Sequence, residues 1–223
     1  MTASALPARR TRAPGDRSRA RIAEAAARLA TVEGLDGLSL GRLAEATGLP
    51  KSSVHALFGS KEDLQLATIT AARDSFIAEV VVPGLSATEP GRACLLALCD
   101  GFLSYVERRV FPGGCFFVAA SAEVGPRAGR VHDEVAHTQQ QWRDLLAQQA
   151  RVAQEQGELP EGTDADQVAF ELGAILAGTD IVSVLHDDRV VIDRARRAVR
   201  QRLGVREATI ATARRSRRSA PPA

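Results

Sequence analysis

Apolar residues recur at helical spacing from about residue 18 to residue 203, and no stretch alternates strictly between apolar and polar residues. Spacings of three and four place side chains on one face of an α-helix, whereas a half-buried strand requires alternation. Aromatic residues make up only 4% of the chain, and alanine and leucine dominate its apolar set. This balance also favours helices over strands. The sequence therefore predicts an all-α protein.

Glycine, proline and capping residues divide this pattern into separate helices. We predict helices near residues 18–32, 39–47, 50–58, 60–82, 95–106, 115–123, 131–153, 164–186 and 193–203. Ser39 and Ser60 are the predicted N-caps of two of them, since a serine hydroxyl can accept a hydrogen bond from a free N–H of the first turn. Pro83 and Gly84 are expected to end the fourth of these helices, the one predicted over residues 60–82, because proline cannot donate the helical hydrogen bond.

Positive charge is concentrated at the two ends of the chain, although the net charge is only +2. Residues 1–61 contain ten basic and five acidic side chains, whereas residues 62–213 contain an excess of seven acidic ones. This asymmetry predicts a polyanionic partner for the N-terminal region alone, the alternative being a merely solvated arm. We expect residues 1–16 to form a mobile basic arm and residues 206–223 a basic disordered tail.

Residues 39–58 have the pattern of a helix-turn-helix, with two short helices joined by a glycine-containing turn. Gly48 can adopt the left-handed conformation that this turn requires, and the small side chain of Ala44 lets the two helices cross closely. The residues left on the outer face of the second short helix are short and polar or cationic, which suits a DNA groove. They are Lys51, Ser52, Ser53, His55 and Ala56.

The stretch GLSLGRLAEATGLPKSSVHALFGSKEDL, residues 37–64, resembles the DNA-binding domain of the TetR/AcrR (tetracycline-repressor-like) transcriptional regulators. The resemblance extends over about residues 14–74, with the helix-turn-helix motif at residues 37–56. It implies that the recognition helix enters the major groove of double-stranded DNA, with Ser39, Ser52 and His55 at DNA-contacting positions. It also implies that Lys61 binds a phosphate together with the N-terminus of its helix.

One departure from the family pattern concerns His55, because relatives usually carry tyrosine at this position. Whether His55 makes the phosphate contact expected of that tyrosine is therefore undecided from the sequence. His55 can donate to a phosphate, more strongly when protonated, or it can be a surface residue that makes no contact.

Beyond the DNA-binding domain, predicted over residues 17–61, the resemblance implies a helical effector-binding and dimerisation domain over residues 62–205. The segment Gly113-Gly114-Cys115-Phe116-Phe117 is similar to one found in a subset of the family. An effector pocket requires apolar walls with a few directed polar groups, and ordinary packing is the alternative for each candidate. The candidates are Phe102, Tyr105, Phe116, Phe117, His137, Gln141 and Trp142.

The helix predicted over residues 164–186 is apolar on nearly every side. Between Gln167 and Leu185 its only charged residues are Glu171 and Asp180. Because such a helix must be covered almost all round, its outer face is expected to pair with a second copy of the chain in a homodimer. The predicted interface residues are Phe170, Ala174, Ala177, Ile181, Val184, Ala195 and Val199.

Several other classes of site are not expected. His132 and His137 are five residues apart, which turns them to different helix faces, so neither a metal site nor a cofactor is predicted. Cys94, Cys99 and Cys115 lie in apolar segments without CxxC spacing, a pattern typical of buried thiols in a reducing cytoplasm. The longest uninterrupted apolar runs fall far short of the ~20 residues that span a bilayer, so a cytoplasmic protein without a membrane partner is expected.

The sequence thus favours a DNA-binding transcriptional regulator, most simply a repressor that an unidentified small-molecule effector releases from a palindromic operator. The alternative is a small-molecule enzyme whose N-terminal helices are purely structural. No Gly-rich phosphate loop, GxSxG or HExxH motif supports that alternative. The salt dependence of duplex binding distinguishes the two, since only a DNA-binding protein releases counterions from the duplex.

Overall fold

The computed structural model describes residues 14–205, and every regular element in that range is helical, as expected. The elements are α1 (Pro14–Glu33), α2 (Leu40–Thr47), α3 (Lys51–Phe58), α4 (Lys61–Phe76), a π-helical segment (Ile77–Val81), α5 (Val82–Ser86), α6 (Arg92–Glu107), α7 (Phe116–Val124), α8 (Arg130–Glu155), α9 (Ala165–Leu185) and α10 (Val190–Arg202). The predicted tail, residues 206–223, lies outside the described residues, as does most of the predicted arm; residues 14–16 of that arm belong to α1.

The first three helices pack around a small apolar core. Helix α1 contributes Ala26 and Ala27, and these lie in one core with Leu43 of α2 and Val54 of α3, all fully buried. The N-cap predictions are confirmed: Ser39 Oγ accepts from Arg42 N–H at 3.0 Å, and Ser60 caps α4 in the same way. These caps fix where α2 and α4 begin.

The prediction that Pro83 and Gly84 end the fourth helix is wrong. The chain stays helical from Lys61 to Ser86, and the widened π-helical segment ends at Val81, two residues before Pro83. This turn shifts the hydrogen-bonding register, so that Pro83 lies in the first turn of α5, where its missing N–H is tolerated. A Cβ on Gly84 would lie 2.6 Å from Leu98 Cδ2, so this glycine serves the close packing of α5 on α6.

Helix α9 has one buried and one exposed apolar side. Val168, Leu172 and Leu176 are buried, whereas Phe170 is 64% exposed and Ile181 53% exposed. By length and composition α9 is the one described helix that could span a membrane, although Glu171 and Asp180 interrupt its apolar sequence. Its buried side packs in the protein core against α8 and α10.

Two of the predicted interface residues belong to the interior of the protomer. Ala195 and Val199 of α10 are 4% and 3% exposed, so the exposed apolar face of α9 does not include them. Helix α10 is held to α6 by Arg196, whose guanidinium donates to Asp100 at 2.9 Å and to Glu107 at 2.8 Å. These contacts turn the apolar side of α10 inward.

Candidate nucleic-acid interface and adjoining cavity

Helices α2 and α3 form the predicted helix-turn-helix. Gly48 adopts the left-handed conformation (φ 67°, ψ 18°), and its N–H contacts the carbonyl groups of Ala44 and Glu45. Leu49 N–H donates to Ala44 O at 3.1 Å, which closes the turn. Phe58 at the end of α3 is buried, and the Arg19 guanidinium of α1 lies 5.3 Å from its ring centroid. The pair is therefore packed on α1, with one face of α3 free.

That free face consists of the residues that the sequence singled out. All of the predicted DNA-contacting side chains are exposed, namely Ser39, Lys51, Ser52, Ser53, His55 and Lys61. The third-helix positions between them, Val54 and Phe58, point inward. On α3 itself the exposed face combines one ammonium, that of Lys51, with the polar side chains of Ser52, Ser53 and His55, which is the chemistry that base edges and phosphates require.

Lys61 has a partner within the protein that the sequence did not suggest. Its Nζ donates to the backbone carbonyl of Asp36 at 2.6 Å, in the turn between α1 and α2. An ammonium carries three N–H donors, so this bond leaves two for another acceptor. Lys61 thus connects the start of α4 to the α1–α2 turn, and its phosphate contact stays a prediction.

The α1–α2 turn is also held from the other side, by α7. The Glu123 carboxylate accepts hydrogen bonds from the N–H groups of Leu35 and Asp36, both at 2.6 Å. Arg127 donates to Asp36 Oδ2 at 2.7 Å and lowers the pKa of that carboxyl group. Gln65 of α4 donates to the Leu35 carbonyl at 3.0 Å. One turn of the DNA-binding part is therefore fixed by both α4 and α7.

A cavity of about 670 Å³ lies between α4, the π-helical segment, α6, α7, α8 and α9. Four aromatic rings from different helices form part of its wall: Phe76, Phe102, Phe117 and Trp142. Phe76 and Trp142 meet edge to face with ring centroids 5.2 Å apart. Apolar walls and this volume are typical of a small-molecule site.

The candidate pocket residues divide into two groups. Phe102, Phe117, Gln141 and Trp142 line the cavity. Tyr105 and Phe116 are buried in the surrounding core and His137 is exposed, so these three do not line it. Tyr105 packs edge to face on Phe76 at 5.8 Å, behind the cavity wall. Burial strongly raises the pKa of its hydroxyl group.

Several lining residues were missed from the sequence. Arg73 and Phe76 of α4 face the cavity, as do Thr138 and Gln139 of α8. Helical spacing could have indicated two of them, because Arg73 and Phe76 are three residues apart and therefore share one face of α4. The cavity also borders α9 through Phe170 and Ala174, so it adjoins the predicted dimer face.

A buried carboxylate joins α9 to the loop before α7. Asp180 is only 3% exposed, and its Oδ1 accepts from the backbone N–H of Cys115 at 2.9 Å. Burial raises the pKa of Asp180 to about 6, against opposing effects of that hydrogen bond and of Arg109. Cys94, Cys99 and Cys115 are buried free thiols, as expected, and burial raises the pKa of Cys99 and Cys115 to about 12. Thiols of such high pKa are poor nucleophiles at neutral pH.

Two family models match the sequence. Residues 22–68 match the model described as "Bacterial regulatory proteins, tetR family". Residues 91–199 match the model described as "Tetracyclin repressor-like, C-terminal domain". Among curated proteins, none matches the sequence.

Solved structures share the fold over most of the chain. A TetR transcriptional regulator from Chloroflexus aurantiacus is 25% identical, with a TM-score of 0.78, covering 85% of this chain and 96% of that one. A TetR-family transcriptional regulator from Cytophaga hutchinsonii is 22% identical, with a TM-score of 0.75, covering 89% and 99%. AibR, solved in complex with isovaleryl coenzyme A and operator DNA, is 21% identical, with a TM-score of 0.65, covering 82% and 97%.

Proposed function

Because this chain belongs to the TetR family of DNA-binding transcriptional regulators, we propose that it is a repressor which a small-molecule effector releases from a palindromic operator. In this proposal residues 17–61 bind DNA, and residues 62–205 bind the effector and dimerise. Because the operator lies on bacterial DNA, the proposal places the protein in the cytoplasm.

The observation that carries the proposal is the exposed outer face of α3. Lys51, Ser52 and His55 are exposed there, while Val54 holds the helix in the core. A short helix that presents polar side chains from a rigid three-helix unit is suited to the major groove of DNA. Ser39 and Lys61 flank this face and are proposed to contact phosphates, which fix the register of α3 on the duplex.

A homodimer supplies the second reading helix. The exposed side of α9 carries Phe170, Ile181 and Leu185, the last 72% exposed, and a second copy is the occupant that would bury all three. A two-fold dimer presents two α3 helices about 34–36 Å apart, one turn of B-DNA, and therefore reads an inverted repeat.

Effector binding is proposed to act through α4 and α7, because both helices line the cavity and both hold the α1–α2 turn. On α4, Phe76 lines the cavity and Lys61 binds the turn; on α7, Ser121 lines the cavity and Glu123 binds the turn. A ligand that favours a different spacing of α4 and α7 changes the position of α3. The structural relative AibR was solved in complex with isovaleryl coenzyme A and operator DNA, so a protein of this fold can bind both an organic ligand and DNA. Couplings of this kind amount to about 1–3 kcal/mol.

Selection from random duplexes by the purified full-length protein tests the proposal. We expect an inverted repeat with half-sites one helical turn apart, bound with an affinity that falls steeply as salt is added. Recovery of unrelated sequences, or of a single half-site, would contradict the proposed dimeric reading. An enzyme with merely structural N-terminal helices would bind no duplex at all.

A further inference from the structure

The cavity wall contains cationic side chains and no acidic ones. Among the described residues that line it, Arg73 and Arg143 are positively charged, whereas none is aspartate or glutamate. This is unexpected in the domain that carries the acidic excess of the chain. Charge of one sign in a partly enclosed apolar space favours a ligand of the opposite sign.

Arg73 is the cation best placed to bind such a ligand. Its side chain is 28% exposed, and its only described ion pair is with Glu134 Oε2 at 3.4 Å. A charge-assisted N–H to carboxylate bond normally measures 2.7–2.9 Å, so this pair is long. A guanidinium presents five donors in a planar fork that matches a carboxylate. Arg73 therefore has donor capacity that Glu134 does not fill.

The rest of the wall specifies an apolar body for the ligand. Phe76 lies one turn from Arg73 on α4, and its ring packs on Trp142 at a centroid distance of 5.2 Å. The neutral polar side chains Thr138 and Gln139 also border the cavity, but their donors are engaged within the protein. A ligand that enters this space gains apolar contact from the rings and charge pairing from Arg73.

We propose that the effector is an apolar carboxylic acid, bound as the anion, whose carboxylate pairs with Arg73 and whose hydrocarbon body packs on the rings of Phe76, Phe102 and Trp142. This inference rests on the proposed function, since it names the class of effector for the same cavity. The ligand carboxylate competes with Glu134 for Arg73. It thereby acts directly on α4, the helix whose first residue holds the α1–α2 turn.

Trp142 is the only tryptophan in the chain and lines the cavity, so its fluorescence reports occupancy. The probes are decanoate, decanamide and decylammonium, which share a hydrocarbon body, differ in charge and do not absorb where tryptophan does. We titrate each into the full-length protein near neutral pH, where a carboxylic acid is ionised. Decanoate is expected to bind about tenfold or more tightly than decanamide, and decylammonium most weakly.

Two variants move the affinity for decanoate in opposite directions. Arg73→Gln is expected to weaken decanoate binding about tenfold and to leave decanamide binding unchanged, while Glu134→Gln removes the competing carboxylate and tightens decanoate binding. Arg151→Gln is the matched control, because Arg151 is exposed, pairs with Asp166 and does not line the cavity. If Arg73→Gln fails to fold, Glu134→Gln alone still decides the question.

The outcomes separate the two proposals. Equal affinity for decanoate and decanamide, with no effect of either variant, overturns the acidic ligand class but leaves an effector-responsive repressor in place. Failure of all three probes to change Trp142 fluorescence also overturns the ligand class. The repressor function stands or falls separately, by the inverted-repeat selection.

Discussion

The carboxylate of Glu123 on α7 binds the backbone of Asp36 in the α1–α2 turn, with a distance of 2.6 Å between Oε1 and the amide nitrogen. Its second oxygen binds the adjacent amide of Leu35 at the same distance. A side chain more than eighty positions away in sequence therefore replaces the hydrogen bonds that this turn cannot form internally. Charge-assisted bonds of this kind contribute about 1.5–3 kcal/mol each.

Replacing Glu123 with alanine tests how far this contact fixes the turn. We expect the free energy of unfolding to fall by about 2 kcal/mol, because two backbone N–H groups lose a charged acceptor. This is less than the sum of two such bonds, since water can replace the acceptor at the exposed Asp36 amide. Urea denaturation at fixed protein concentration measures the change, and amide hydrogen exchange at Leu35 and Asp36 is expected to accelerate. Glu161→Ala, at an exposed loop position, is the control. Unchanged exchange at both amides would show that the turn does not depend on α7.

Lys61→Ala is expected to weaken binding to the operator and to random duplex alike. The reason is that the proposed contact is with phosphate, which carries no sequence information. The slope of log affinity against log salt should decrease by about one unit. Filter binding or fluorescence anisotropy over a salt series measures both effects, with Arg151→Ala on α8, where Arg151 pairs with Asp166, as the control. A loss confined to the operator would mean that Lys61 reads sequence instead.

Substitution of Ser52 or His55 is expected to change which sequences are preferred, not merely how tightly they are bound. Side chains that reach base edges discriminate between bases by about 1–3 kcal/mol per contact. Selection from random duplexes with the Ser52→Ala and His55→Ala variants reveals the altered positions within each half-site. If a variant selects the same sequences with uniformly lower affinity, the substituted residue contacts the backbone of the DNA.

The helix-turn-helix could be predicted because its determinants are local. Ser39 caps α2 through a bond to Arg42, three residues away, and Gly48 fixes the turn through its own backbone conformation. The buried positions Leu43 and Val54 follow from helical spacing within the same twenty residues. Each of these features needs no knowledge of a distant element.

The cavity wall could be predicted only in part, because it depends on how distant helices meet. Helical spacing alone does not show that Thr138 turns to the cavity while His137 beside it is exposed. The pairing of Arg73 with Glu134 joins α4 to α8 across sixty residues, beyond the reach of local patterns. The helix end predicted at Pro83 is wrong for a related reason. The π-helical turn that accommodates this proline depends on the packed structure and not on the local sequence.

Ile181→Asp is expected to abolish the proposed dimer. Ile181 is 53% exposed on the outer side of α9, so a carboxylate there costs the single chain little but opposes burial against a second copy. Sedimentation equilibrium should give the mass of one chain, with helical content unchanged by circular dichroism, and inverted-repeat binding should be lost. Val190→Asp places the same charge at an equally exposed site on α10 and is expected to have no effect. A dimeric Ile181→Asp variant would show that this face is not the interface.

Asp180→Asn is expected to remove a pH dependence of stability that the buried carboxyl group causes. The pKa of Asp180 is raised from 3.8 to about 6 in the folded protein, so the native state holds its proton over a range in which the unfolded chain has lost it. The stability that this proton provides is fully present below about pH 4 and is lost as the pH rises through about 6.

Asparagine stays neutral and retains an oxygen to accept from the Cys115 N–H, so the variant lacks this loss. Its advantage over the unmodified protein should therefore grow between about pH 4 and pH 6 and level off at about 3 kcal/mol, which is the free energy that corresponds to the pKa difference. Urea denaturation across this pH range measures the advantage, with Asp144→Asn on the exposed side of α8 as the control. A difference between Asp180→Asn and the unmodified protein that does not vary with pH would show that the carboxyl group is ionised at all of these pH values, held so by Arg109.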